Sequence, residues 1–398
     1  MIKAELLAPA GDMESVDAAA RFGADAVFIG GDFLQLRAKK AGFTREDVTA
    51  AADFLHARGK KLYVTVNSFA KNDEIAHCGD YARFLRDAGA DAAIISDLGV
   101  MAAFAKAAPD LDIHVSTQAN CMNYGTAKVY ADLGAKRIVL AREMTLQDIA
   151  DLRAHLDPQV ELEAFVHGAM CMAYSGRCIL SSYLAGRSGN RGECTQSCRW
   201  NYALVEEKRP GEYIPIEEED GHTAILSSHD LCAVDLLHDL EKAGVASFKI
   251  EGRMKTAYYV ATVVNAYRRA MDGTMPLSQC RDELERIQHR PYATGFYEGH
   301  VAKYHHNDGQ YIQQYRFMAN VLSWQDGVAT LRQRNNFRVG DELEVLSPHS
   351  AGLTFRVERI LDESGAEMAY APHPNQRLTV PCPHPLYPGD MLRRKENG

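Results

Sequence analysis

Cys171, Cys178, Cys194 and Cys198 fall within 28 residues of the stretch EAFVHGAMCMAYSGRCILSSYLAGRSGNRGECTQSCR, and they are four of the chain's nine cysteines. The spacing is Cys-x6-Cys, fifteen residues, then Cys-x3-Cys, and a fifth thiol, Cys232, follows in SSHDLC. Thiolates gathered among small, flexible residues are what iron–sulfur clusters and structural zinc both require. Zinc favours knuckles with roughly two to four residues between cysteines, which only the second pair approaches, whereas cluster ligation accepts irregular spacing. A catalytic or incidental thiol is the third option. Cys78, Cys121, Cys280 and Cys382 stand alone, and a lone cysteine is commonly just a small buried hydrophobe.

Something must position those thiols, and the chain supplies it by repeating one phrase. An amphipathic run ends at a glycine break (Gly23, Gly59, Gly89, Gly134, Gly244), and a short apolar segment ending in polar residues follows. The strand candidates are ELLAPAG, AVFIGG, KLYVTVN, AAIISD, IHVSTQAN, RIVLARE, ELEAFVHG, AILSSHD and SFKIEG. Their near-continuous apolar content suits parallel strands buried on both faces, with helical crossovers between them. No G-x-G-x-x-G fingerprint follows the first strand, so the expectation is a TIM-like (β/α)8 barrel over residues 1–275, carrying a Cys-rich insertion at about 163–232. Residues 276–309 read as helix and linker, and 310–398, with alternating strands and Asp-Gly-type turns, as a small C-terminal antiparallel β-barrel domain.

Active sites of such barrels collect at the carboxyl ends of the strands, which here carry Asn67, Asp97, Gln118, Asn120, Arg142, Glu143, His167, Asp230, Lys249, Glu251 and Arg253. Strict alternation puts Lys249, Glu251 and Arg253 on one face, and charged residues belong to the interior mouth rather than the helix-facing layer. With Gln118, Asn120 and Glu163 they would bind a polar, anionic molecule; the competing reading is helix caps and an internal salt-bridge network. Arg187, Arg191, Arg199 and Arg253 could grip phosphates, with Tyr174 or Trp200 stacking on a base, against a reading of ordinary surface arginines.

The 398-residue chain, with 46% hydrophobic residues, has ample material for a large core. Its net charge of −9 argues against non-specific coating of nucleic acid but leaves room for a local basic patch. No run of about 18 apolar residues appears, and MIKAELLAPAGD lacks the layout of a secretory signal, so a cytoplasmic protein with reduced thiols and no membrane contact is expected.

Glu163-Ala-Phe165-Val-His-Gly168-Ala169-Met170-Cys171, four residues, then Gly176-Arg-Cys178-Ile-Leu180-Ser181 resembles without departure the signature of the collagenase-like peptidases of unassigned family thirty-two. ELLAPAG, SFKIEGRMK and RGECTQSCRW extend the resemblance over most of the chain, and within the family it points to the tRNA hydroxylation proteins. That resemblance implies formation of 5-hydroxyuridine at the wobble position of tRNA, with dioxygen or prephenate as oxygen source and an electron-donor protein as partner. The expected cofactor is an iron–sulfur cluster of the 4Fe-4S type on Cys171, Cys178 and Cys194. The fourth ligand is Cys198, as the paired CTQSC segment implies, or Cys232, the position used by quinone-directed relatives. Glu163, His167, Lys249 and Glu251 are the catalytic candidates, with Asn67, Gln118, Asn120, Arg142, Tyr174, Arg187, Arg191 and Arg253 as substrate-binding residues. Two rivals remain: a peptidase pairing His167 with Cys171, and a non-catalytic RNA-binding protein stabilised by zinc or a cluster. Surplus cysteines and the absence of H-E-x-x-H weigh against the peptidase.

Overall fold

The computed structural model describes residues 2–36, 42–171, 174, 176–200, 203–205, 213–215, 229–299 and 311–396. In it the apolar runs become strands buried on both faces, as a parallel sheet covered by helices requires. The strands are β1 (Glu5–Pro9), β2 (Ala26–Gly30), β3 (Lys61–Val66), β4 (Ala92–Ile95), β5 (Asp112–Val115), β6 (Ala135–Val139) and β7 (Glu161–Ala169). After a short hairpin of β8 (Ala203–Val205) and β9 (Tyr213–Pro215) come β10 (Asp230–Cys232) and β11 (Val245–Ile250). Strands β1 to β7 pair in sequence and in parallel, and β11 bonds to both β1 and β7, which closes an eight-stranded barrel.

One expected strand is displaced. Most of AILSSHD (residues 224–228) lies outside the described residues, and β10 runs antiparallel to the exit of β7, with Cys232 opposite His167. Since β7 bonds directly to β11, the barrel closes without it.

Crossover helices α1 (Met13–Phe22), α2 (Arg45–His56), α3 (Asn72–Ile75), α4 (Cys78–Asp87), α5 (Leu98–Ala107), α6 (Tyr124–Asp132) and α7 (Leu146–His155) surround the sheet. They are followed by α8 (Leu180–Ala185) in the cysteine segment, then α9 (Leu237–Lys242), α10 (Ala257–Asp272) and α11 (Leu277–Leu284). Reciprocal capping boxes, Thr44 with Asp47 and Thr145 with Asp148, start α2 and α7. The five glycines that punctuate the sequence all take positive φ, from 66° to 110°, so each stops its helix and turns the chain back into the sheet.

From Tyr315 onward eight strands form an antiparallel sheet around a separate core that includes Met318, Leu331, Phe337, Val345 and Leu392. It is fixed to the barrel's helices. Phe317 stacks on Tyr258 of α10 at 5.2 Å, Arg269 donates to the carbonyls of Ser347, Pro348 and Ser350, and buried Arg393 spans Glu283 of α11 and Glu344.

Candidate active site

Charged side chains fill the barrel interior in a connected column. At the amino-terminal end of the strands, Glu5 accepts from Tyr63 Oη (2.7 Å), Ser247 Oγ (3.1 Å) and Arg137 Nη1 (2.6 Å). Arg137 reaches upward to Glu163 (3.0 Å), whose other oxygen accepts from Lys249 Nζ at 2.7 Å. Glu163, Lys249 and Arg137 are all under 5% exposed. Burial alone would raise the Glu163 carboxyl, but Lys249 and Arg137 outweigh it and hold the group below the usual carboxylate range. Burial pulls Lys249 below its ordinary ammonium range against the opposing field of Glu163. Sequence alternation foresaw Lys249 inside; it missed Arg137, which lies one residue into RIVLARE and carries its charge on the same inward period.

Above the pair lies an aromatic collar. Lys249 Nζ sits 4.4 Å from the Phe28 ring centroid and 5.7 Å from that of Phe165, while the Arg142 guanidinium lies 3.9 Å over Phe165. Beyond the collar, at the carboxyl ends of the strands, Arg253 donates to Gln35 Oε1 (3.2 Å), Thr65 Oγ1 (2.9 Å) and the Leu36 carbonyl (2.7 Å). Asn67 bonds Ser116 Oγ at 3.3 Å, and Arg142 Nη1 bonds the Ala169 carbonyl at 2.8 Å. Two buried donors, Gln35 Nε2 and Arg142 Nε, have no hydrogen-bond partner. Orphaned buried donors are costly, and donors of this kind are suited to an acceptor-rich ligand. Gln35 was not singled out from the sequence, although Gly30-Gly31 was a signal. A Cβ on Gly30 would lie 2.3 Å from Gln35 Oε1 and 2.6 Å from Arg253 Nη1, so only glycine leaves room for that pair.

Other strand-end residues divide between mouth and scaffold. Asp97 caps α5, accepting from the Gly99 and Val100 amides, and Asp230 accepts the Arg290 amide, so both serve the scaffold. Glu251 follows β11 half-buried, its charge felt by Lys249, and Asn120 closes a short 3-10 turn in the left-handed region at φ 54°. Gln118 lies under the cysteine segment: Gly176 takes φ +73° with its missing Cβ only 2.1 Å from the Gln118 carbonyl. The signature's second glycine therefore presses the segment onto the end of β5.

His167 does not join the mouth. The pairing of β7 with β11 shifts between Lys249–Phe165 and Ile250–His167, leaving Val166 as an extra residue on β7. This bulge turns His167 out of the interior into the helix-facing layer. There its ring lies among Tyr259, Tyr267 and Tyr292, with centroids 5.4 to 6.1 Å away. Burial, then the neighbouring His289 and Lys255, push it down to about 3, so it is neutral at pH 7 and removed from exposed Cys171. The geometry of a Cys–His peptidase pair is absent among the described residues.

Cys171 and Cys194 are exposed, Cys178 and Cys198 half-buried, and all are free thiols. Ser181 Oγ lies 3.8 Å from Cys194 Sγ, and Asn190 Nδ2 donates to the Cys178 carbonyl at 2.9 Å, which ties the two halves of the segment together. Cys232 differs: Tyr267 Oη is 3.9 Å from its sulfur on the helix side of the sheet, and burial pushes the thiol up to about 11. Among the described residues no three His, Cys, Asp or Glu side chains stand close enough together to hold a metal ion. The donor set itself, four accessible free thiols on one docked segment, fits an iron–sulfur group.

Residues 11–307 match the model of Peptidase family U32, and residues 313–393 match the Peptidase family U32 C-terminal domain. The chain belongs to this family. A tRNA hydroxylation protein of Bacillus subtilis (strain 168) is 37% identical over 98% of this chain and 95% of its own length. A tRNA hydroxylation protein of Escherichia coli (strain K12) is 34% identical over 97% and 95%. A 23S rRNA 5-hydroxycytidine synthase from the same organism is 37% identical over 67% of this chain and 39% of its own length.

The arginines of the family segment do unequal work. Arg191, expected to grip phosphate, instead forms a fork with Glu74 (3.1 and 3.0 Å) and also donates to the Phe69 carbonyl, while the Phe69 amide donates to the Asn190 carbonyl. Arg191 is thus a docking residue that holds the cysteine segment on the loop after β3. Arg187 is exposed, as are Tyr174 (58%) and Trp200 (47%), and the side chain of Arg199 lies outside the described residues. Arg191→Glu should remove an ion pair worth about 1 kcal/mol and set like charges face to face. Hydrogen exchange across residues 176–200 is expected to rise while barrel amides keep their protection; unchanged exchange in the segment would remove Arg191 from this role.

Proposed function

We infer that this chain hydroxylates RNA, with tRNA as the substrate and 5-hydroxyuridine at the wobble position as the product. The observation that carries the reading is the pairing of a cationic, donor-rich barrel mouth (Lys249, Arg253, Arg142, Gln35) with a thiol-bearing segment docked over the same strand ends, in a chain that aligns end to end with tRNA hydroxylation proteins. A flipped-out pyrimidine offers carbonyl acceptors to Gln35 Nε2 and Arg142 Nε, and its flanking phosphates suit the guanidinium groups. The aromatic collar of Phe28 and Phe165 excludes water below it, so that the Lys249–Glu163 pair acts in a dry site.

Hydroxylation replaces C5–H of the base by C5–OH. With dioxygen as oxidant the balance is one oxygen atom into the base and one into water, with two electrons and two protons supplied from outside; prephenate is the alternative oxygen source. An iron–sulfur cluster on Cys171, Cys178, Cys194 and Cys198 would supply electron transfer to this reaction. The buried, helix-facing thiol of Cys232 supports Cys198 as the fourth ligand.

The test is the purified, anaerobically prepared protein with unmodified tRNA, prephenate or dioxygen, and a chemical reductant. Nucleoside mass spectrometry is expected to find uridine converted to a product heavier by one oxygen atom. Persistence of unmodified wobble uridine in cells lacking the gene's product and rescued with this chain would refute the reading.

A further inference from the structure

We propose that the outer face of α8 is an RNA-stacking platform on which Ile179 and Tyr183 carry a splayed base of the substrate loop while Arg177 and Arg187 hold its phosphates. The proposal rests on the RNA reading above and names the surface that reading leaves open. Ile179 and Tyr183 are one helical turn apart, joined by the Tyr183 amide donating to the Ile179 carbonyl at 2.9 Å, and they are 72% and 84% exposed. Leu184 adds a third apolar side chain at 42% exposure. Tyr183 is thus more exposed than the other large apolar side chains described. Burying them elsewhere would have been favourable by the usual apolar transfer energy, so a contiguous exposed set on one short helix marks a contact surface.

The opposite face of α8 shows that its orientation is fixed. Ser181 is buried, accepts from the Thr195 amide and lies against Cys194, so the helix cannot roll its apolar side inward without releasing the cysteine segment. The platform is therefore presented beside the thiols and, through Gly176 on Gln118, beside the barrel mouth.

Charge selects the occupant. The chain carries a net charge of −9, yet no acidic residue occurs between Glu163 and Glu193, and Arg177, Arg187 and Arg191 lie in that interval. Arg191 is engaged by Glu74, which leaves exposed Arg177 and Arg187 flanking the helix. An acid-free, arginine-flanked aromatic surface on an otherwise acidic protein complements a polyanion with π faces, which describes the single-stranded loop of an RNA.

The experiment uses the full-length protein and a fluorescent, unmodified tRNA transcript, with Kd measured by anisotropy over a salt series. Tyr183→Ala should weaken binding about tenfold and Tyr183→Phe should stay within about twofold, because the ring and not the hydroxyl stacks. The double variant Arg177→Ala/Arg187→Ala should lower the slope of log Kd against log salt by about 1.4, the value for two single-strand phosphate contacts. All side chains changed are exposed, so an unchanged thermal midpoint accompanies each result. Equal binding by wild type and Tyr183→Ala overturns the platform and leaves the RNA reading intact; no binding by wild type overturns both. Unchanged tRNA affinity with lost modification in cells would assign the face to a protein partner, and a change of mass by light scattering would assign it to a second copy of the chain. Either result overturns the proposal.

Discussion

Glu163→Gln is expected to lower unfolding stability by about 3 kcal/mol, the lower end of the range for breaking a buried ion pair, because the amide oxygen still accepts from Lys249 but no longer balances its charge. Lys249 has no other carboxylate within hydrogen-bond distance, whereas Arg137 keeps Glu5 and Glu161. The pH dependence carries a sign. The folded-state value of Glu163 lies below its ordinary 4.5, so its contribution is fully present above that pH and is lost as pH falls through the lowered folded value. Wild type should therefore lose stability below about pH 4.5 with a steeper slope than Glu163→Gln, in denaturant titrations at a series of pH values.

Stability and chemistry can be separated at the same place. Replacing both partners, Glu163→Leu with Lys249→Met, removes the uncompensated charge, and buried pairs exchanged for apolar residues are often neutral or stabilising. The double variant is expected to regain most of the lost stability and to leave wobble uridine unmodified. Activity in the double variant would show that the column only tightens the barrel.

The barrel was legible because its strands are apolar on both faces and its helices end at glycines, signals that depend on neighbours in sequence. What escaped depends on partners far apart. Arg191 meets Glu74 at a separation of 117 residues, and Arg137 meets Glu5 at 132, and no local period announces either. His167 was misplaced for a different reason: alternation counts residues, and one bulged residue at Val166 reverses the face of everything after it. The same rule succeeded for Lys249 because β11 reaches it before the shift. The cysteine spacing pointed to a metal group but could not rank Cys198 against Cys232, because that choice turns on which side of the sheet the Cys232 sulfur faces.

Cys171→Ala, Cys178→Ala, Cys194→Ala and Cys198→Ala are each expected to abolish iron binding, whereas Cys232→Ala keeps it. Each of the four thiols sits on the exposed or half-buried surface of the docked segment, so losing one removes a ligand without opening the core. Cys232 is held between β7 and α10, where burial pushes its thiol up to about 11 and so disfavours the thiolate a metal needs. Its replacement by alanine leaves a small cavity and a modest loss of stability, about 1 kcal/mol. The measurement is iron and acid-labile sulfide per chain after anaerobic purification, with the visible absorbance of the brown protein as a second reading and thermal midpoint as the control for folding. Full iron content in Cys171→Ala or Cys198→Ala, or loss of iron in Cys232→Ala at an unchanged midpoint, would overturn the ligand set. Zinc without sulfide in the wild-type protein would overturn the cluster itself, and electron delivery to the reaction would then have to come from outside this segment.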